Sequence, residues 1–205
     1  MARTRSEDYH DKRALIFERA AELFAESGFA RASIADLAGR CRASKSWIYH
    51  YFPSKEAILY EILRDHVEAL HRAAARATGG GDPPKAQLRQ LLGAFMAIHA
   101  RARARHVVLL NDLGCLPEAQ QREIRELECQ VVLLVTALLR RVSPGLALRR
   151  SLVEPVAMLL IGMLNWTHTW YRPDGALAPE QLAELAADLF LGGLDALAAD
   201  RRLVG

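Results

Sequence analysis

Apolar residues recur every three to four positions along most of this chain, which is the spacing of one face of an α-helix. The first such segment covers about residues 6–27, and its apolar stripe consists of Ile16, Ala20, Leu23 and Phe24. Gly28 follows directly, and a glycine just past the last turn commonly ends a helix. The pattern therefore predicts an amphipathic helix that ends before Gly28.

Two short helical segments follow, and a serine precedes each of them. Ser33 precedes a segment that ends near Arg40, and Ser44 precedes the segment at 45–51 after a tight turn. Serine is a favoured N-cap because its side chain accepts a hydrogen bond from one of the first free amides of a helix. Helices this short are marginal in water, so we expect them to pack against the first helix and a fourth at about 55–77. This layout predicts a helix-turn-helix.

The rest of the chain is also helical in pattern. A loop rich in glycine and proline interrupts it at 78–84, and Pro155 is expected to kink one of the later helices without breaking it. The later helices are predicted at about 85–104, 106–115, 117–142, 146–171 and 179–197. The fold class is therefore all-α, with about nine helices, divided into residues 1–55 and residues 56–205.

The net charge of +3 is small, but its location is informative. Residues 1–55 contain ten basic and seven acidic side chains, and the remaining 150 residues are balanced. The whole excess of positive charge therefore lies in the predicted helix-turn-helix. Such an asymmetry favours a polyanionic partner for this region of the chain.

The third predicted helix combines an apolar face with a face suited to DNA. Ile48 and Phe52 are four positions apart and are expected to face inward. The outward-facing residues are then Lys45, Ser46, Tyr49 and His50. Hydroxyl and ammonium groups bind phosphates and base edges, and a helix of this kind fits the major groove. The alternative is that Trp47, Tyr49 and Tyr51 are core aromatics, although so short a helix can hardly bury three large rings.

Other classes of protein lack support in the sequence. It contains no nucleophile elbow, zinc-protease motif, phosphate loop or dinucleotide fingerprint, so we do not expect an enzyme. Cys41, Cys115 and Cys129 are too far apart to form a CxxC pair, so we expect reduced thiols, and because the histidines are also scattered we expect no metal site. We expect no cofactor. The polar start and short apolar runs predict a soluble, cytoplasmic protein with no membrane contact. A helical protein–protein adaptor stays open as an alternative.

The segment from Ile16 to Lys55 resembles the N-terminal domain of the TetR family of bacterial repressors. The resemblance lies in Phe24, Gly28, Phe29, Ser33, Leu37, Ala38, Tyr49, Phe52 and Lys55. It implies a homodimer whose two recognition helices lie about one DNA turn apart on a palindromic operator. The DNA contacts that it implies are Ser33, Lys45, Ser46, Trp47, Tyr49, His50, Tyr51 and Lys55. Lys55 would bind a phosphate at the start of helix four. Arg3 and Arg5 either reach DNA or form a disordered charged terminus.

The same resemblance assigns an effector site and a dimer interface to the C-terminal region. In the TetR family this region binds an effector and dimerises through its last two helices, which here are about 146–171 and 179–198. The second of them carries Leu182, Leu185 and Leu189 and the small pair Gly192-Gly193, which allow close helix approach. We therefore expect a four-helix interface across the dimer.

An aromatic segment near the end of the chain suggests what the effector is. Trp166 and Trp170 share one helix face, and an amide and a guanidinium lie near it, which suits a bulky apolar ligand with a charged group. The alternative is that both tryptophans are core or dimer-interface residues. The segment resembles the NWxxxWYRPDG stretch of TetR-type regulators of phenylacetate, fatty-acid and sterol degradation. Their effectors are acyl-coenzyme A thioesters.

A thioester of this kind carries phosphates, so its site would need basic residues. Arg101, Arg103, Arg105 and His106 form a cluster in the sequence that suits this role, although a solvated basic face explains them equally well. The complete predicted ligand set is Arg101, Arg105, His106, Asn111, Asn165, Trp166, Thr169, Trp170 and Arg172. The predicted function is a repressor that an acyl-CoA releases from its operator, with a hydrophobic drug or other non-CoA ligand as the alternative effector.

Overall fold

The computed structural model describes residues 2–147, 150–172 and 174–199, and it does not describe the side chains of residues 2–8, 147, 150, 198 and 199. Within those ranges every regular element is helical, which confirms the all-α prediction. The helices are α1 (Ala2–Ser27), α2 (Ile34–Arg40), α3 (Lys45–Tyr51), α4 (Lys55–Gly79), α5 (Pro84–Arg101), α6 (Arg103–Asp112), α7 (Glu118–Val142), α8 (Pro144–Ala147), α9 (Arg150–Trp170) and α10 (Pro179–Ala199), with a 3-10 turn at Leu113–Cys115. The side chains of Arg3 and Arg5 lie outside the described residues.

The end of α1 follows its sequence closely. Gly28 has a φ of 77°, a left-handed conformation that glycine adopts without a steric penalty. Its N–H donates to the carbonyl of Phe24 at 2.8 Å and closes the last turn. The other end differs, because α1 begins at Ala2 and not near residue 6.

The later helices also match the sequence with two local differences. A short α8 precedes α9, whereas the sequence pattern predicts one helix from about residue 146. Helix α9 continues through Pro155, which lies on its exposed side, so the helix is not broken there. A kink at this position stays a prediction. No helix among the described residues is long and apolar enough to cross a membrane.

The chain forms two compact units. The first comprises the residues up to His66 together with Ala104–Ile124, and the second comprises Val67–Arg103 together with the residues from Arg125 onward. The functional division at residue 55 stays a prediction, since these units are defined by packing alone.

The core of the first unit is formed by side chains of α1, α2, α3, α4 and α6, together with Phe52. Its fully buried side chains include Ile16, Phe24, Leu37, Ile48, Phe52, Ile58, Leu59, Ile62, Leu63 and Val108. Phe24 and Phe29 meet edge to face, with ring centroids 5.2 Å apart, an arrangement that aromatic pairs prefer. This packing supplies the support that the short helices α2 and α3 need.

The second unit has a larger apolar core of its own. It is formed by residues of α4, α5, α7, α9 and α10 together with Leu146 of α8, and it includes Leu88, Leu91, Leu92, Leu138, Leu139, Val153, Leu160, Leu164, Ala187 and Leu194. On its surface Arg89 of α5 donates to Glu184 and Asp188 of α10. These ion pairs hold the polar side of α10 against α5.

Candidate nucleic-acid interface

Helix α2 begins with a complete capping box. The Ser33 hydroxyl accepts from the backbone N–H of Asp36 at 3.2 Å, and the Asp36 carboxylate accepts from the backbone N–H of Ser33 at 3.0 Å. The hydroxyl of Ser33 also donates to Asp36, and these hydrogen bonds hold the pKa of Asp36 below its usual value. Ser33, a predicted DNA contact, is exposed at this helix start.

Helix α3 is fixed by a cap at its start and an apolar contact on its inner face. The Ser44 hydroxyl accepts from the backbone N–H of Trp47 at 3.2 Å, and Ile48 is fully buried. The preceding turn places Arg42 at a φ of 51°, a conformation that residues with a side chain seldom adopt. Nothing in the sequence pattern predicts a left-handed residue there, because the turn contains no glycine.

The remaining faces of α3 present the predicted DNA-binding groups. Its exposed side chains are Lys45, Ser46, Tyr49 and His50. Trp47 and Tyr51 are half-buried and pack on each other, with ring centroids 5.0 Å apart. The alternative of three core aromatics is therefore wrong for Tyr49. The structure brings six of the eight predicted DNA contacts onto this one short helix.

A residue that the sequence pattern did not single out extends this surface. Tyr9 of α1 lies against Tyr51, with ring centroids 4.9 Å apart, and near His50, with centroids 6.3 Å apart. No spacing rule links a residue at the start of α1 to helix α3, so the sequence offered no indication of this contact.

Lys55 is engaged differently from the prediction. Its Nζ donates to the backbone carbonyls of Phe29 and Ala32, both at 2.8 Å, and lies 4.1 Å from the centre of the Phe29 ring. These carbonyls belong to the loop after α1, where they have no helical partners, and a half-buried ammonium satisfies them. A phosphate at Lys55 would have to compete with both bonds, so the structure supports a bridging role.

Two of the predicted ligand residues are also tied to their own unit. Arg105 donates to Asp65 and Glu18 and lies 4.7 Å from the centre of the Phe17 ring. Two carboxylates therefore offset the positive charge that the sequence pattern assigned to a ligand phosphate. Arg105 holds α6 to α1 and α4.

His106 is buried and hydrogen-bonds His66 across 3.1 Å between ring nitrogens. Burial, together with the nearby His106 and Arg105, lowers the pKa of His66 to about 3. His66 is therefore neutral at ordinary pH, and the pair contributes to the packing of α4 and α6. A buried histidine is a poor candidate for the positive group that a thioester phosphate needs.

The other predicted ligand residues are more accessible. Arg101, Asn111 and Arg172 are exposed, and Arg172 is close to Asp174 at 3.3 Å. Asn165 is half-buried, and its backbone carbonyl contacts the His168 ring at 2.7 Å. The exposed Thr169 hydroxyl donates to the carbonyl of Trp166 at 2.8 Å.

Trp166 and Trp170 are largely exposed in the single chain, at 64% and 55%. They lie in a stripe of exposed apolar residues along α9, which consists of Met158, Leu159, Met163, Trp166 and Trp170. Helix α10 carries a second stripe with Leu185, Leu189 and the exposed pair Gly192-Gly193. Core packing of the two tryptophans, one of the alternatives, is therefore wrong. Contiguous exposed apolar surface of this kind marks an interaction site.

Known protein families match both the N-terminal and the C-terminal part of this chain. Residues 16–62 match the model of bacterial regulatory proteins of the tetR family, and residues 81–194 match that of the tetracyclin repressor-like C-terminal domain. The chain belongs to the tetR family of regulators. As a TetR-type transcriptional repressor it is not an enzyme. Its capped α2–α3 pair lies within the residues that match the tetR model and has the helix-turn-helix layout.

Individual relatives agree over almost the full length. The repressor KstR2 of Mycolicibacterium smegmatis is 29% identical over 197 residues, which cover 93% of this chain and 94% of that protein. A TetR-family regulator from Bordetella parapertussis is 41% identical, with a TM-score of 0.84 over 87% of this chain and 93% of its own. AibR, solved with isovaleryl coenzyme A and operator DNA, shares the fold at 21% identity and a TM-score of 0.73, covering 87% and 97% of the two chains.

Proposed function

We propose that this TetR-type protein binds a palindromic operator as a homodimer and leaves it when an acyl-CoA occupies the C-terminal region. The observation that carries the proposal is the surface of α3, where a cap and a buried Ile48 hold Lys45, Ser46, Tyr49 and His50 outward. Lysine and hydroxyl groups bind phosphates, and the same groups with the imidazole can bind base edges in the major groove. We therefore also propose that the protein works in the cytoplasm, where its DNA target would be.

The apolar stripes of α9 and α10 support the proposed dimerisation. Residues such as Leu159 and Trp166 would lose unfavourable contact with water when a second copy covers them. The glycine pair of α10 lets the helix of a partner approach closely. A two-fold dimer would present two α3 helices at the spacing of successive major grooves, about 34–36 Å apart. Trp166 and Trp170 then serve as interface residues.

The effector assignment has a separate basis. The sequence from Asn165 to Gly175 resembles that of regulators that respond to acyl-CoA thioesters, and AibR shows that a protein of this fold binds one. Arg101 and Arg172 are exposed, although Arg172 pairs with the exposed Asp174, whereas Arg105 and His106 are engaged within their own unit. We therefore propose that any phosphate contact comes from the exposed arginines.

A binding assay with a duplex that the protein itself selects from a random-sequence library tests both the operator and the effector. Affinity should fall steeply between about 50 and 200 mM salt, because phosphate contacts release counterions. Phenylacetyl-CoA and long-chain acyl-CoAs are then added to the complex, with coenzyme A alone and the free acids as controls. Release by a thioester and by neither control supports the proposal.

The other outcomes have distinct meanings. No selected duplex at any salt contradicts the operator function. A complex that forms and resists every thioester contradicts the acyl-CoA assignment and leaves the operator function intact. Release by a hydrophobic drug, with no response to thioesters, replaces the acyl-CoA by a non-CoA effector.

A further inference from the structure

An aromatic cluster joins the first helix to the proposed DNA-binding helix. Tyr9 contacts Tyr51 with ring centroids 4.9 Å apart at an interplanar angle of 36°, and it approaches His50 edge-on at 6.3 Å. Tyr51 in turn meets Trp47 and His50, each with centroids 5.0 Å apart. Three of the four rings therefore belong to residues expected to contact DNA, and the fourth comes from α1.

We propose that Tyr9 is a positioning residue for operator binding, an inference that rests on the proposed function. Its ring packs on Tyr51 and restricts the orientations that Tyr51 and His50 can adopt. His50 and Tyr51 are the last two residues of α3, so no further turn of the helix follows to restrain their side chains. Side chains that are ordered before binding lose less conformational entropy when DNA orders them, so the contact strengthens binding without touching the duplex.

The position of Tyr9 supports this role over a role in stability. Tyr9 is 39% exposed and is not one of the buried core residues of the first unit. A ring exposed to this extent buries less apolar surface than the fully buried rings of Phe24 and Phe52. Apart from its chain neighbour His10, the rings that Tyr9 meets are those of Tyr51 and His50, which the proposed function requires.

Four proteins test the inference on one duplex that the wild type selects from a random-sequence library: the wild type, Tyr9→Ala, Tyr9→Phe and Leu15→Ala. Leu15 is a matched control, because it lies on the same helix and is 41% exposed. The Kd is measured by fluorescence anisotropy at one salt concentration. The thermal unfolding midpoint is measured for each protein.

Tyr9→Ala should weaken binding about threefold to tenfold per half-site, the range expected for one aromatic pair. Its unfolding midpoint should stay close to that of Leu15→Ala. Tyr9→Phe keeps the ring and should restore wild-type affinity, a rescue that a direct contact through the hydroxyl would not allow.

The inference is overturned if Tyr9→Ala binds as tightly as Leu15→Ala, or if Tyr9→Phe loses as much affinity as Tyr9→Ala. A fall in affinity that merely follows a fall in the unfolding midpoint overturns it as well. If the wild type selects no duplex at all, the proposed function itself has failed, which is a different result.

Discussion

The backbone N–H of Phe29 donates to the carboxylate of Asp112 at 3.3 Å, across 83 residues of chain. The carbonyl of the same residue accepts from Lys55 at 2.8 Å. Both polar groups of one loop residue are therefore satisfied by side chains from α6 and α4. Asp112 and Lys55 thereby tie α6 and the start of α4 to the loop after α1, within the first compact unit.

Asp112 should make the stability of the protein depend on pH. Burial raises the pKa of Asp112 above its ordinary value of 3.8, although the Phe29 hydrogen bond and the charge of Lys55 oppose the rise. The folded state then keeps this proton more readily than the unfolded state. Stability contributed by the group is full below pH 3.8 and is lost as pH rises through the raised folded value.

Urea unfolding of the wild type and Asp112→Asn from about pH 3 upward, at constant protein concentration, measures this. Asparagine keeps an oxygen for Phe29 and cannot ionise. The free energy of unfolding of the wild type, relative to Asp112→Asn, should decline with pH and then level off. Asp112→Ala should lose about 1–3 kcal/mol at every pH, because a buried N–H loses its acceptor. A flat or rising difference would show that the pKa is not raised.

The sequence predicts the elements of this protein better than the contacts between them. Helical periodicity and serine caps are local, so the short helices α2 and α3 appear within one residue of their predicted bounds. The contact between Phe29 and Asp112 depends on how distant helices pack, which no local pattern encodes. The left-handed conformation of Arg42 is also missed, because this position carries neither the glycine nor the asparagine that usually adopts it after a helix.

Removal of the cap of α3 should loosen that helix specifically. Ser44→Ala removes the hydroxyl acceptor of the Trp47 N–H and leaves it only the Ser44 carbonyl at 3.1 Å, and the loss of an N-cap costs about 1 kcal/mol. Hydrogen exchange of the Trp47 amide should then be about fivefold faster if it exchanges by local opening. Ser44→Thr keeps the hydroxyl and serves as the matched control. Equal exchange in the alanine and threonine variants would mean that the cap does not limit opening.

Lys45 should account for some of the salt dependence of operator binding. If each subunit neutralises one phosphate with Lys45, Lys45→Ala should make the slope of log K against log salt less negative by about 1.8 for the dimer. Lys85→Ala removes the same charge from an exposed position on α5, where the lysine pairs with Asp195 at 3.1 Å. It should leave the slope unchanged. The same change in both variants would point to overall charge and not to a contact.

Lys55 should behave in the opposite way to Lys45. Lys55→Met leaves the carbonyls of Phe29 and Ala32 without their donor, and bonds of this charged kind contribute about 1.5–3 kcal/mol. The free energy of unfolding should fall by an amount of that order, while the salt slope of DNA binding stays at the wild-type value. If Lys55→Met instead makes the slope of log K against log salt less negative and leaves stability unchanged, Lys55 contacts a phosphate, as the family resemblance implies.

The predicted ligand residues show what residue types alone do not determine. Arg105 and His106 have the chemistry that a thioester phosphate needs, but their partners Asp65, Glu18 and His66 come from other helices. Trp166 and Trp170 share one face of α9, as their spacing predicts, but periodicity cannot tell which side of a helix is buried. More of the helix-turn-helix than of the ligand residues could be predicted from the sequence, because its caps and apolar contacts lie close together in the chain.

Leu189 tests the dimer interface against a matched surface position. Leu189 of α10 and Leu133 of α7 are both 66% exposed, so exposure alone cannot distinguish them. Leu189→Glu places a charge in the proposed interface, where burial without a partner is unfavourable. Analytical ultracentrifugation should show this variant as a monomer or with a dimer Kd raised at least about tenfold, whereas Leu133→Glu stays dimeric. If only Leu133→Glu dissociates the dimer, the interface lies on α7 and not on α10. Because a monomer holds one recognition helix, Leu189→Glu should also lose the cooperative occupation of both half-sites.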